Sequence, residues 1–245
     1  MPLRIGCDLD GVLADMDAGL LREAESLFGK GVVRRLEEGA EAPPPDAEPG
    51  DPAAFRPETT APAVRLQITS RQQRRLWQHI GTVENFWEGL AEIEPGVVKK
   101  LSSLADERRW EIIFLTKRPE SAGATAQVQT QRWLHSKGFA LPSVFVVQGS
   151  RGRIASALHL DVIIDDRPEN CLDVVMDSKR SRAILVWRGD PAQLPPAAKR
   201  LGIGVVKSVS ECLDILAQLD GPDKDEPGVM ARVKKLLGLG ESASA

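Results

Sequence analysis

Six short, almost continuously apolar runs set the tightest limit on how this chain can fold: Leu3–Cys7, Trp110–Leu115, Ser143–Val147, Asp161–Ile164, Arg182–Trp187 and Ile203–Val206. A strand with one face in water alternates apolar and polar residues, whereas a strand covered on both faces reads as an unbroken apolar stretch. Helical patterns lie among these runs, at Val97–Arg108, Ala124–Ser136, Glu169–Met176 and Val209–Leu219. Strand and helix in alternation predict an α/β fold, a doubly wound parallel sheet with helices on both faces.

The alternation breaks between residues 16 and 94, where helical patterns occur without a buried strand. This stretch reads as an insertion after the first strand, leaving residues 1–15 and 95–220 as the core. Within it, residues 39–63 are rich in Pro, Ala and acidic residues and cannot build a core of their own, so they are expected to form a mobile loop. Residues 221–245 read as a linker, one short surface helix and a frayed tail.

Of the 245 residues, 42% are hydrophobic, enough for a substantial core. Lys and Arg number 32 against 35 Asp and Glu, so the charge balance recommends neither a nucleic-acid duplex nor an anionic membrane as partner. Any anion must be held by a local site. The three cysteines Cys7, Cys171 and Cys212 lack metal-ligand spacing, and their odd number argues against a disulfide framework. With no signal-like start and no apolar run near the length of a spanning helix, the expectation is a cytoplasmic protein.

The chemistry concentrates at strand ends. The first run leads into Asp8-Leu9-Asp10-Gly11, two carboxylates bracketing one apolar residue where an open α/β sheet collects its ligands. A turn or a calcium loop uses the same letters. The second run ends in Thr116-Lys117-Arg118-Pro119, a hydroxyl and two cations suited to an anion. Lys117 and Arg118 read equally as substrate-facing cations or as surface charges beside a helix start. The fourth run ends in Asp165-Asp166, adjacent carboxylates that repel each other unless a cation or proton intervenes. Four carboxylates, a threonine and nearby bases at three strand ends describe an oxygen-rich magnesium site facing phosphate.

Residues 3–187 resemble the haloacid dehalogenase superfamily, whose motifs occur here in order. The resemblance implies a fold with a helical cap inserted after the first strand, here residues 16–94. It implies Asp8 as the nucleophile toward phosphorus, Asp10 as the acid and base, and Thr116 as a hydrogen-bond donor to phosphate. It further implies Mg2+ held by Asp8, by the backbone carbonyl of Asp10 and by the Asp165/Asp166 pair, with Asp166 the direct ligand and Asp165 behind it. The lysine that the family places upstream of the acidic pair is absent. Gly149-Ser150-Arg151-Gly152-Arg153 stands there instead, with Arg151 the candidate and Arg153 the alternative.

Inside the insertion, Asn85-Phe86-Trp87-Glu88-Gly89-Leu90 with Ile93-Glu94-Pro95-Gly96 is similar to a segment of the 5'(3')-deoxyribonucleotidases. That family stacks aromatic cap residues on the nucleobase, so Phe86 and Trp87 would join Lys117 as substrate-binding residues. The expected function is hydrolysis of a small phosphorylated substrate, with a nucleoside monophosphate leading and sugar phosphates or other small esters second. A phosphate-binding protein of the same fold with weak turnover is the reading from a different class. Core packing is the competing reading of Phe86 and Trp87.

Overall fold

The computed structural model describes residues 2–30 and 66–219. Both the Pro-rich stretch 39–63 and the segment 221–245 lie outside the described residues. Six parallel strands form one sheet: β1 (Arg4–Asp8), β2 (Glu111–Thr116), β3 (Ser143–Val146), β4 (Val162–Asp165), β5 (Arg182–Val186) and β6 (Gly204–Val206). Their order is β3-β2-β1-β4-β5-β6, so the chain builds outward from β1 in one direction and then crosses over to build the other half.

The strands bury alternate residues on opposite faces. Ile5, Cys7, Ile112, Phe114, Ile164 and Ile184 join one apolar cluster, whereas Ile113, Leu115, Ile163, Ala183 and Leu185 join the other. Helices cover both, which is why the strands read as unbroken apolar runs. The first face carries α3 (Val97–Arg108), α4 (Ala126–Ser136) and α8 (Val209–Leu219). The second carries α5 (Arg151–Ala157), α6 (Pro168–Asp177) and α7 (Pro196–Arg200).

Local sequence sets where these helices begin. Thr125 caps α4 by accepting from Val128 N at 3.3 Å, and Ser150 caps α5 by accepting from Arg153 N at 3.1 Å. Pro168 opens α6, where its missing N–H costs nothing. Helix α5 lies so close to α6 that a β-carbon at Gly152 would fall 2.2 Å from the Asp173 carbonyl oxygen. Only glycine permits this approach.

Between β1 and α3, the described residues hold α1 (Met16–Phe28), α2 (Ser70–Ile80) and a short 3-10 turn at Phe86–Gly89, and no strand. Asp15 caps α1, accepting from Ala18 N at 2.9 Å, and Thr69 and Gln72 form a reciprocal capping box on α2. The chain leaves and re-enters the core side by side: Asp15 N donates to Ala91 O and Ile93 N to Leu13 O, both at 2.9 Å. Among the described residues no helix is long and apolar enough to cross a membrane.

Candidate active site

Strands β1, β2 and β4 are neighbours, and register aligns their carboxyl ends. Asp8 pairs with Leu115, one residue before Thr116, while Cys7 pairs with Ile164, one residue before Asp165. The order in which the chain adds strands reverses between β1 and β4, the place where open α/β sheets leave a crevice for ligands.

After β1 the chain turns tightly, with Leu13 N and Ala14 N both donating to Leu9 O at 2.8 Å. Gly11 sits at φ +88°, and a β-carbon there would lie 2.1 Å from Oδ2 of Asp166. Arg188, just beyond β5, holds this turn from the other half of the sheet. Its guanidinium donates to Gly11 O at 2.6 Å, to Val12 O at 3.2 Å and to Glu94 at 2.8 Å. Glu94 also accepts from Val209 N and Ser210 N at the start of α8. Burial alone would raise the Glu94 pKa, but these hydrogen bonds outweigh it and bring the pKa below its ordinary value. Sequence reasoning missed Arg188, although a lone cation following a buried strand is a signal it could have used.

Three buried carboxylates, Asp8, Asp165 and Asp166, come close enough for one oxygen of each to lie within 4.8 Å of the others. Asp165 is fully enclosed and accepts from Arg167 N at 2.9 Å and from Asn170 Nδ2 at 3.1 and 3.0 Å. Burial raises the Asp8 carboxyl well above its usual range, Asp165 adds to the shift, and Arg151 only partly opposes both. Burial likewise raises Asp165, against the pull of Arg151 and its hydrogen bonds. Such a group of acids is stabilised as anions only by a cation. Its all-oxygen donor set fits Mg2+, and only a residue without a β-carbon lets the β1 turn pass this close to the Asp166 carboxylate.

Arg151 is the nearest fixed cation. Only 2% exposed, it places Nη2 2.5 Å from Oδ1 of Asp8 and Nε 3.7 Å from Oδ2 of Asp165. Its Nη1 and Nε have no hydrogen-bond partner among the described residues. Buried donors without a hydrogen bond are what an incoming oxyanion would satisfy. Arg153 points elsewhere: its side chain is 84% exposed and lies 3.6 Å from Asp177. Lys117 is half-buried, and its pKa is lowered by burial and then by Arg151 and Arg167, while Asp165 and Asp8 oppose the shift. It therefore belongs to the same charged cluster.

Asp10 and Thr116 meet, with Thr116 Oγ1 donating to Asp10 Oδ2 at 3.1 Å. Arg118, expected at the surface or toward substrate, is instead buried and bound to Asp10. Burial pushes the Cys7 thiol well up, the Asp8 charge adds to this, and the thiol sits in the core as its place in a buried strand implies.

Phe86 and Trp87 require a correction. They are 3% and 0% exposed, packed edge to face at 4.8 Å, with Trp87 Nε1 donating to Pro119 O at 2.9 Å. No ring face is open to a nucleobase. Their apolar area is spent on fastening the 3-10 turn to α4. A groove of about 620 Å³ lies elsewhere, lined by Glu120, Thr125, Gln127, Gln131 and the β3 edge, and it contains none of the clustered charges.

No family model matches the chain, and no curated protein matches it significantly. Similar solved structures include a protein described as a beta-phosphoglucomutase from Thermotoga maritima, 17% identical, covering 89% of this chain and 99% of its own, with TM-score 0.49. A haloacid dehalogenase-like family hydrolase from Streptococcus pneumoniae is 13% identical, covering 88% and 98%, with TM-score 0.46. A hydrolase from Pseudomonas syringae is 18% identical, covering 89% and 98%, with TM-score 0.48. At these identities and scores the likenesses decide neither family nor chemistry.

Proposed function

We propose that this chain is a magnesium-dependent phosphomonoester hydrolase of the haloacid dehalogenase type. The observation that carries the reading is the Arg151 guanidinium, hydrogen-bonded to Asp8 while its buried Nη1 and Nε make no hydrogen bond among the described residues, beside the buried Asp8, Asp165 and Asp166 carboxylates. In this reading Asp8 attacks phosphorus, the bond to the leaving oxygen breaks, and an aspartyl-phosphate forms on Asp8. Asp10 gives its proton to the departing oxygen, then takes one from the water that hydrolyses the aspartyl-phosphate. Arg151, Thr116 and Lys117 hold the phosphate oxygens.

Asp8, Asp166 and the backbone carbonyl of Asp10 would hold Mg2+, with Asp165 behind them. Asp165 suits that supporting place because Arg167 N and Asn170 already bind its carboxylate. When bound, the ion neutralises charge between carboxylates and phosphate. Residues 16–94 are assigned as the cap, since both connectors leave the core side by side. A nucleoside monophosphate remains the first substrate to try on the resemblance of residues 85–96, with sugar phosphates second. The buried, free thiols suit a reducing cytoplasm.

The test is phosphate release from a panel of deoxynucleotides, ribonucleotides, sugar phosphates, para-nitrophenyl phosphate and methyl phosphate, with magnesium and with chelator. Magnesium-dependent turnover that Asp8→Asn abolishes is expected. Turnover that survives either the chelator or Asp8→Asn would overturn the mechanism, and no turnover of any ester would overturn the reading.

A further inference from the structure

We propose that Arg118 is the positioning residue for Asp10, and that the Trp87 ring serves this guanidinium rather than a substrate. The inference rests on the phosphohydrolase reading and adds to it a residue outside the motifs. The Arg118 side chain is fully enclosed and Asp10 is 7% exposed. Nε lies 3.0 and 2.9 Å from the two Asp10 oxygens, and Nη2 donates to Oδ1 at 2.8 Å. Nη1 donates to Thr130 Oγ1 on α4 at 2.9 Å, so the fork is anchored at both ends. Its carbon lies over Trp87 at 5.0 Å and Trp133 at 5.9 Å from the ring centroids. Aromatic faces stabilise a desolvated guanidinium and also fix its plane.

Every Arg118 nitrogen is thus committed within the protein, and none is exposed to meet a substrate. What the residue can influence is the direction of the Asp10 carboxylate, since among the described residues Thr116 is the other side chain that binds it. A mis-set Asp10 fails at two steps: delivering its proton to the leaving oxygen as the phosphorus–oxygen bond breaks, and taking one from water as the aspartyl-phosphate is hydrolysed, and only the first depends on the leaving group. Esters whose leaving group departs readily as an anion need that proton least. Through Trp87, which lies in the 3-10 turn at the end of the inserted segment, the placement of Asp10 also depends on how that segment packs against α4.

The test compares Arg118→Gln and Arg118→Lys with the wild-type chain on methyl phosphate and para-nitrophenyl phosphate. Loss of kcat/KM, which reports the steps up to departure of the leaving group, should approach the ~10²–10⁴-fold typical of acid–base catalysis for methyl phosphate and be at least tenfold smaller for the nitrophenyl ester. KM should stay near wild type for both. Arg118→Lys keeps the charge but loses the two-pronged grip, so it should show the same split with a smaller loss. Because stranding a buried Asp10 can unfold the chain, the Asp10→Asn/Arg118→Gln double variant is measured beside Asp10→Asn. In that background losing Arg118 should cost nothing further. Equal losses on both esters, or a full Arg118 effect on top of Asp10→Asn, would overturn the inference while leaving the phosphohydrolase reading intact. Absence of turnover by the wild-type chain on either ester and on the wider panel would overturn both.

Discussion

Gly11 passes so close to Asp166 that the space a β-carbon would need is already filled by the Asp166 carboxylate, 2.1 Å away at Oδ2. The backbone there is also left-handed, at φ +88°. An alanine must accept a conformation that costs L-residues roughly 1–2 kcal/mol and push the acid aside as well. Gly11→Ala should therefore lower the melting temperature and remove most magnesium-dependent phosphate release. Melting curves with and without Mg2+ check this directly. A variant whose melting point and response to Mg2+ match wild type would place the ion elsewhere.

Arg151 and Arg153 separate cleanly by burial. Arg151→Met should reduce turnover by about 10²–10³-fold, the usual cost of removing one donor to a developing oxyanion. Arg151→Lys should recover part of it, since the charge returns without the fork. Arg153→Ala, at a side chain 84% exposed, should leave turnover unchanged. Steady-state kinetics on one ester suffice. A larger loss from Arg153→Ala than from Arg151→Met would reverse the assignment.

The acid cluster makes metal binding depend on pH in a definite direction. Burial, reinforced by neighbouring carboxylates, raises the Asp8 pKa, and burial raises that of Asp165. A raised folded-state pKa means the metal-free fold gains stability from the protonated acids below their unfolded pKa. That stability is lost as pH rises through the folded values. Mg2+ needs the ionised forms, so its binding weakens as pH falls through the same range. Calorimetric melts over a series of pH values should show a magnesium-induced rise that is largest at the alkaline end and shrinks as the medium is acidified. A rise that is constant across this range would contradict the site.

Phe86 and Trp87 predict stability loss before selectivity loss. Each fills core space beside α4, and Trp87 also lies against Arg118. Phe86→Ala and Trp87→Ala should each cost about 3–5 kcal/mol of folding stability, typical of aromatic truncation in a core. Any loss of turnover should fall on methyl phosphate as heavily as on a nucleotide. Denaturant titrations and parallel kinetics test the two halves separately. Selective loss of nucleotide hydrolysis from a variant of unchanged stability would restore the stacking role.

The doubly wound sheet and the acids at its strand ends were legible in the sequence, and for a local reason. Burial on both faces writes itself into consecutive residues, as in Ile112 to Leu115, and Asp8, Thr116 and Asp165 each stand at the end of such a run. That these three ends are neighbours follows from the strand order, which only the fold provides. The partners of side chains were decided by tertiary structure alone. Arg118 read as a surface or substrate-facing cation beside Lys117, yet Asp10, 108 residues away, and the rings of Trp87 and Trp133 enclose it. Trp87 looked available to a ligand and is buried, and Arg188 stood in no motif yet holds the turn at Gly11. Periodicity is set by neighbours along the chain, so a sequence determines it directly. Whether a charge or ring is paired, buried or open depends on which distant segments pack against it, and no local pattern records that.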